Sequence, residues 1–267
     1  MIVCRSAAEL QRLREANQLV AQVLQRLRKA VAPGVTTADL DALAEREIRA
    51  AGAVPAFKGY KGYPASICAS VNEQVVHGIP SSRDVLREGD IISIDLGAKL
   101  GGFYGDSAVT VGVGKIASTA AELLRVTEES LWKGIDAVRP GGRVSDIGHA
   151  VQTHVEMFGF SVVREFVGHG IGSELHEEPQ IPNYGAPGRG PRLAEGMVLA
   201  IEPMVNAGGP EVKVLHDGWT AVTEDRSLSA HFEHTVAVTT DGVEVLTKPT
   251  AKEQTNESTS VSQANLR

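Results

Sequence analysis

In the stretch "VGHGIGSELHEEP" (residues 167–179), His169 sits between two glycines, and His176 is followed at once by Glu177 and Glu178. Imidazole and carboxylate groups this close together are the nitrogen and oxygen donors that hold a divalent metal. The glycines also fit a phosphate-cradling loop or a polar surface turn, so the stretch alone leaves three readings open. The phosphate loop fails on context, because GHGIG lacks the flanking strand, turn and helix that a dinucleotide fingerprint needs.

Acids elsewhere favour the metal. Asp95 and Glu202 each end an apolar, strand-like run, "DIISID" and "MVLAIE". "SIDLGAKLGGFYGDSAVTVGV" reads as a hairpin about a glycine turn, with Asp95 on one arm and Asp106 on the other. "SAHFEHTVAVT" alternates as a strand, with His231, Glu233 and Thr235 on one face and Phe232, His234 and Val236 on the other. One such acid is ordinarily a solvated or salt-bridged strand end. Four in apolar β context would repel one another and resist ionisation. Two divalent cations, with roughly four positive charges, offset four carboxylates. One imidazole fits as a further ligand, with His169 the natural candidate. Oxygen-rich ligation with one nitrogen suits Mn, Fe(II), Co or Zn, and lacks the cysteines of structural zinc.

The elements that must position these groups are written twice. "AVAPGVTTADL" (30–40) is matched by "AVRPGGRVSDI" (137–147), and "LREGDIISID" (86–95) by "LAEGMVLAIE" (193–202). Both pairs share an offset of 107, which makes Asp95 and Glu202 equivalent positions. The predicted duplication covers about 30–95 and 137–202. In each copy a helix ends at Pro-Gly punctuation, and Thr37 or Ser145 is expected to cap the next helix. Leu40, Leu43, Ala44, Ile48 and Ala51 give that helix an apolar face broken only at Glu47. Helix, helix, strands, repeated, predicts helices on a largely antiparallel sheet: an α+β fold with two pseudo-symmetric halves.

Bulk properties narrow the class. The chain has 267 residues, 42% hydrophobic, enough for one large domain, expected over 1–247. A net charge of −7 argues against a nucleic-acid surface. Two cysteines, Cys4 and Cys68, make a disulfide framework unlikely and a reducing, cytoplasmic compartment the expectation. No signal-peptide pattern and no membrane-spanning apolar run is present, so no membrane partner is expected. The Ser/Thr/Gln/Asn-rich segment 248–267 reads as a disordered tail.

With Asp95, Asp106, His169, Glu202 and Glu233 in this order, inside "SIDLG", "GDSAVT", "GHGIG", "IEPM" and "FEHT", the chain resembles the methionine aminopeptidases, from about residue 5 to 246. It looks like their short, bacterial-like type I form. The resemblance implies the pita-bread fold, with helices packed on a curved, mainly antiparallel sheet. It also implies a dinuclear metal centre held by those five residues, with Asp95 bidentate on one ion, Asp106 and Glu233 spanning both, and His169 and Glu202 on the other. The implied activity is removal of the initiator methionine from nascent polypeptide N-termini when the second residue is small. Glu202 would be the proton shuttle, His176 would contact the developing oxyanion, and His77 the substrate's backbone amide. Phe57, Tyr60, Tyr63, Cys68, Leu175 and Trp219 would line the methionine pocket, with aromatic rings against sulfur. The glycines of GHGIG would leave room for the peptide. A monovalent cation near Asn72 and Ser229, work near the ribosome and a monomeric state are further implications.

Two departures stand out. Leu175 replaces a common Phe and loosens one pocket wall. His231 replaces Gln, either as a donor to the metal-binding groups or as a source of pH sensitivity in metal binding. The rivals are an Xaa-Pro peptidase of the same fold, which usually carries an extra N-terminal domain, and a non-catalytic binding protein. All five ligand positions are filled, which disfavours the second.

Overall fold

The structure, a computed structural model, describes residues 1–248; the tail expected over 248–267 lies, from residue 249 on, outside the described residues. The first half of the chain opens with α1 (Ala7–Ala30) and α2 (Thr37–Ala50), followed by β1 (Val54–Pro55), β2 (Ile67–Val71), β3 (Gln74–Val76), β4 (Ile91–Leu100) and β5 (Phe103–Gly112). The second half opens with α3 (Ser118–Asp136) and α4 (Val144–Met157), followed by short strands β6 (Ser161–Val162), β7 (Gly168–Gly170), β8 (Glu177–Ile181), β9 (Val198–Ile201) and β10 (Met204–Asn206). β11 (Val212–Val214), β12 (Ala221–Thr223), β13 (Ser229–His231), β14 (His234–Val238) and β15 (Val243–Val245) complete it.

Helix starts are set locally. Ser6 caps α1 and forms a reciprocal box with Glu9; Thr36 does the same for α2 with Asp39. The expected caps are therefore corrected. Thr37 is the buried first residue of α2, and the cap of α4 is Arg143, whose backbone N–H donates to Asp146, rather than Ser145. Leu13, Ala16, Val20, Leu24 and Leu27 recur at helical spacing and give α1 one buried face. Leu40, Ala44 and Ile48 do so for α2.

Every sheet pairing among the described strands is antiparallel. β4 is central in the first half, flanked by β2, β1 and its hairpin partner β5; β15-β14-β9-β7-β8 is the large sheet of the second. One contact pattern recurs 107 residues apart. Thr36 bridges Val85 and Arg143 bridges Arg192, while the Gly34 and Gly141 N–H groups donate to the Leu86 and Leu193 carbonyls, both at 2.8 Å.

The chain between β13 and β14 joins the halves. Ser107 Oγ donates to the Glu233 carbonyl (2.7 Å), Thr110 Oγ1 to the His231 carbonyl (2.8 Å) and Thr235 Oγ1 to the Asp106 carbonyl (2.8 Å). The His231 N–H returns to Thr110 Oγ1 at 2.8 Å. "SAHFEHTVAVT" is thus not one strand. It pairs with β10 up to His231 and with β9 from His234, and the two intervening residues carry Glu233 across the gap. Asp95 also differs from expectation, lying inside β4 with five residues still to run rather than at its end.

α1 approaches β5 backbone to backbone. A Cβ at Gly105 would stand 2.8 Å from the Ala16 carbonyl, next to Asn17, whose Oδ1 accepts from the Asp106 N–H. Gly105→Ala must push α1 off the strand. The expected cost is about 1–3 kcal/mol, seen as a lower urea midpoint at unchanged slope.

Candidate metal centre and active site

Asp95 and Asp106 come from the two arms of one hairpin, with Asp95 paired to Ala108 and Asp106 to Gly97 across the ladder. Glu202 follows β9 directly, with its carbonyl held by Asn183 Nδ2 at 3.1 Å. Glu233 sits in the crossover from β13 to β14, its N–H donating to the Ala108 carbonyl at 2.9 Å. His169 lies in β7, beside β9. Its Nδ1 stands 2.9 Å from the Gly170 carbonyl, so Nδ1 carries the proton and Nε2 is left free. That Nε2 faces Glu202 Oε1 at 3.5 Å and Asp106 Oδ2 at 4.0 Å.

The five groups are held under electrostatic tension. Burial pushes the Asp95 carboxyl up to about 7, against a hydrogen bond from Cys68 that lowers it. Burial raises Asp106 well above the usual carboxylate range, and the charges of Asp95 and Glu202 add to it. Glu202 and Glu233 are raised for the same reasons, burial first and neighbouring acids next. His169 is pushed down to about 4 by burial, which keeps it neutral and able to ligate. Asp95 Oδ1, Asp106 Oδ1 and Glu233 Oε1 are buried without a hydrogen-bond partner. Asp106, His169 and Glu233 offer donor atoms all within 4.8 Å of one another. Unpartnered buried carboxylate oxygens beside a neutral imidazole fit a divalent cation.

These groups floor a cleft of about 190 Å³. Its walls are Phe57, Tyr60, Tyr63, Cys68, His77, Leu175, His176 and Trp219, so each residue that the sequence placed at the site lines it. Tyr63 and Trp219 meet edge to face at 5.1 Å, and Leu175 packs in the same apolar cluster with Phe57 and Cys68. His176 Nδ1 lies 2.9 Å from the Tyr60 hydroxyl, its ring over His169. His77 takes a left-handed backbone (φ 60°) and packs edge to face on Phe166.

Some contributors escaped the sequence reading. Lys61 lines the mouth from a left-handed turn (φ 48°), and Asn17 anchors the Asp106 backbone from α1. Neither lies in a run whose pattern marks it. The glycine expectation is corrected. A Cβ at Gly168 would stand 2.3 Å from the Ala200 carbonyl and one at Gly170 2.3 Å from the Glu178 carbonyl, so these glycines let strands close on β7 rather than admit a peptide.

The model of metallopeptidase family M24 matches residues 11–240. The chain belongs to this family. Within M24 it is 58% identical over 248 residues to "Methionine aminopeptidase 1" of Bacillus subtilis (strain 168), covering 93% of this chain and all of that relative. The crystal structure of a methionine aminopeptidase from Thermotoga maritima superposes with a TM-score of 0.92 at 50% identity, covering 93% of this chain and all of that one. A prolidase from Pyrococcus horikoshii OT3 shares the fold at a TM-score of 0.75 and 22% identity, with 65% of its length covered. The M24 chain thus has the pita-bread fold and the divalent-metal chemistry of a metallopeptidase.

The raised Asp95 carboxyl has a sign that can be checked. Its folded value lies above the usual 3.8, so its contribution to stability is full below about 4 and is lost as the pH climbs through about 7. His169 and His234, both lowered to about 4 by burial, run the opposite way in acid, so the total profile mixes the two. Asp95→Asn removes the first effect and also relieves the charge that Asp95 places on Asp106, Glu202 and Glu233. Metal-free Asp95→Asn should gain thermal stability over the metal-free parent between about pH 4 and 7; a gap constant with pH would remove the tension inferred at Asp95.

Proposed function

We propose that this chain removes the initiator methionine from nascent polypeptides whose second residue is small. The observation that carries this is one cleft in which five ligand-type side chains meet an apolar, aromatic wall of the size of one side chain. The donor set suits two divalent ions, among Co, Mn, Fe(II) and Zn, held by Asp95, Asp106, His169, Glu202 and Glu233. When bound, such ions supply Lewis acidity to the scissile carbonyl and lower the pKa of water.

The chain's own groups do the rest. Glu202, with one oxygen toward His169, is the carboxylate that would take the proton of the attacking water and return it to the leaving amine. With the Tyr60 hydroxyl donating to His176 Nδ1, Nε2 would carry the proton, the donor needed where the carbonyl oxygen gains charge. His77 lines the cleft beside Trp219, edge to face with it, and would hold the substrate backbone. Phe57, Tyr60, Tyr63, Cys68, Leu175 and Trp219 enclose the thioether and exclude water. The small second residue is the fit for a narrow cleft floored by fixed carboxylates. No helix among the described residues is long and apolar enough to cross a membrane. Cytoplasmic work on chains leaving the ribosome, as a monomer built from one catalytic domain of two duplicated halves (1–247), completes the reading.

Metal-stripped protein should leave a Met-Ala-Ser peptide intact, and added divalent metal should restore cleavage. Asp95→Asn and Glu202→Gln should each abolish it. Hydrolysis of Xaa-Pro peptides with Met-Ala-Ser untouched would sink the assignment. His176→Ala should lower kcat roughly 100- to 1,000-fold with little change in KM, the mark of a donor used in the transition state.

A further inference from the structure

His231, beside the cleft, is an ionisable side chain with no task assigned so far. It is 2% exposed, and its Nε2 is buried without a hydrogen-bond partner. The acid it faces is Glu202, whose Oε2 lies 3.8 Å away. The other oxygen of the same carboxylate, Oε1, lies 3.5 Å from His169 Nε2. Each oxygen of Glu202 therefore has its own imidazole.

We propose that His231 is a positioning residue for Glu202, its Nε2–H donating to Oε2 and so fixing how the two carboxylate oxygens are divided between ligation and proton transfer. This rests on the reading of Glu202 as ligand and proton carrier. The gap exceeds a hydrogen bond by about 1 Å, within the reach of a turn of the carboxylate. Larger adjustments are blocked, because both backbones are fixed. The His231 N–H and carbonyl are both tied to the Thr110 hydroxyl, and the Glu202 carbonyl accepts from Asn183. His231 also pairs with Met204, two residues past Glu202, so the two side chains hang from one short piece of sheet. Direct ligation fits less well, since His231 does not line the cleft that Asp95, Asp106, His169, Glu202 and Glu233 floor. A buried N–H left without an acceptor is costly, and an ionised Glu202 is the acceptor at hand.

The test uses full-length protein loaded with Mn(II) and three variants. His231→Leu keeps bulk but removes the donor, and His231→Gln replaces the ring with an amide N–H donor. Glu202→Gln tests the carboxylate itself. His231→Leu should lower kcat for Met-Ala-Ser roughly 10- to 100-fold with KM unchanged, and His231→Gln should restore most of it. Electron spin-echo spectra of the Mn(II) sites should show the nitrogen of one imidazole in parent and both His231 variants alike. Parent-like kcat in His231→Leu, equal loss in His231→Gln, or a nitrogen coupling that disappears with His231 would each overturn the proposal. If His231→Leu folds poorly, His231→Met removes the donor in a more pliant side chain. An active Glu202→Gln, or a parent that binds no Mn(II), would instead remove the site reading and this inference with it.

Discussion

Mutual repulsion among four carboxylates gathered in one cleft is the constraint on which the rest of the molecule turns. Asp106, Glu202 and Glu233 are each pushed up by burial and then by neighbouring acids, Asp95 among them in every case. A fold can hold such a group only if its scaffold is much more stable than the cluster is costly. The stability comes from the apolar faces of α1 and α2 against the first half and of α3 and α4 against the second. The cluster is the place where local chemistry and fold stability disagree, as expected of a functional site.

The acids are distributed so that neither half owns the site. Asp95 and Asp106 belong to the first, Glu202 and His169 to the second, and Glu233 to the crossover that binds them together. The apolar side of the cleft is shared likewise, with Tyr63 from the first half against Trp219 from the second. Separation of the halves would disperse the acidic cluster and the aromatic wall at once.

Much of this was legible in the sequence because it depends on local pattern. Helix faces, the glycine-turn hairpin and the acids inside apolar runs each carry a periodic signal. Less visible were features decided by a distant partner. The break at Phe232–Glu233 arises because β10 captures one side and β9 the other, which alternation cannot foresee. Thr36 rather than Thr37 caps α2 because the second hydroxyl is drawn away to Ser81. Gly168 and Gly170 look like freedom for a ligand in the sequence, yet their carbonyl neighbours come from β8 and β9 or the residues beside them. Asn17 carries no motif at all, since its role exists only once α1 lies on β5.

The hydroxyls of Ser107 and Thr110 have a consequence for alignment. Thr110 has a single proton, donated to the His231 carbonyl, so the Ser93 hydroxyl at 2.8 Å must point its own proton toward Thr110. Slip the crossover by two residues and the His231 carbonyl would meet Ala108 or Gly112, and the Glu233 carbonyl Gly105 or Val109, none of which has a side-chain proton to give. Two uncharged alcohols thus act as a key with one setting. The spacing of the acids is inherited from groups that carry no charge themselves.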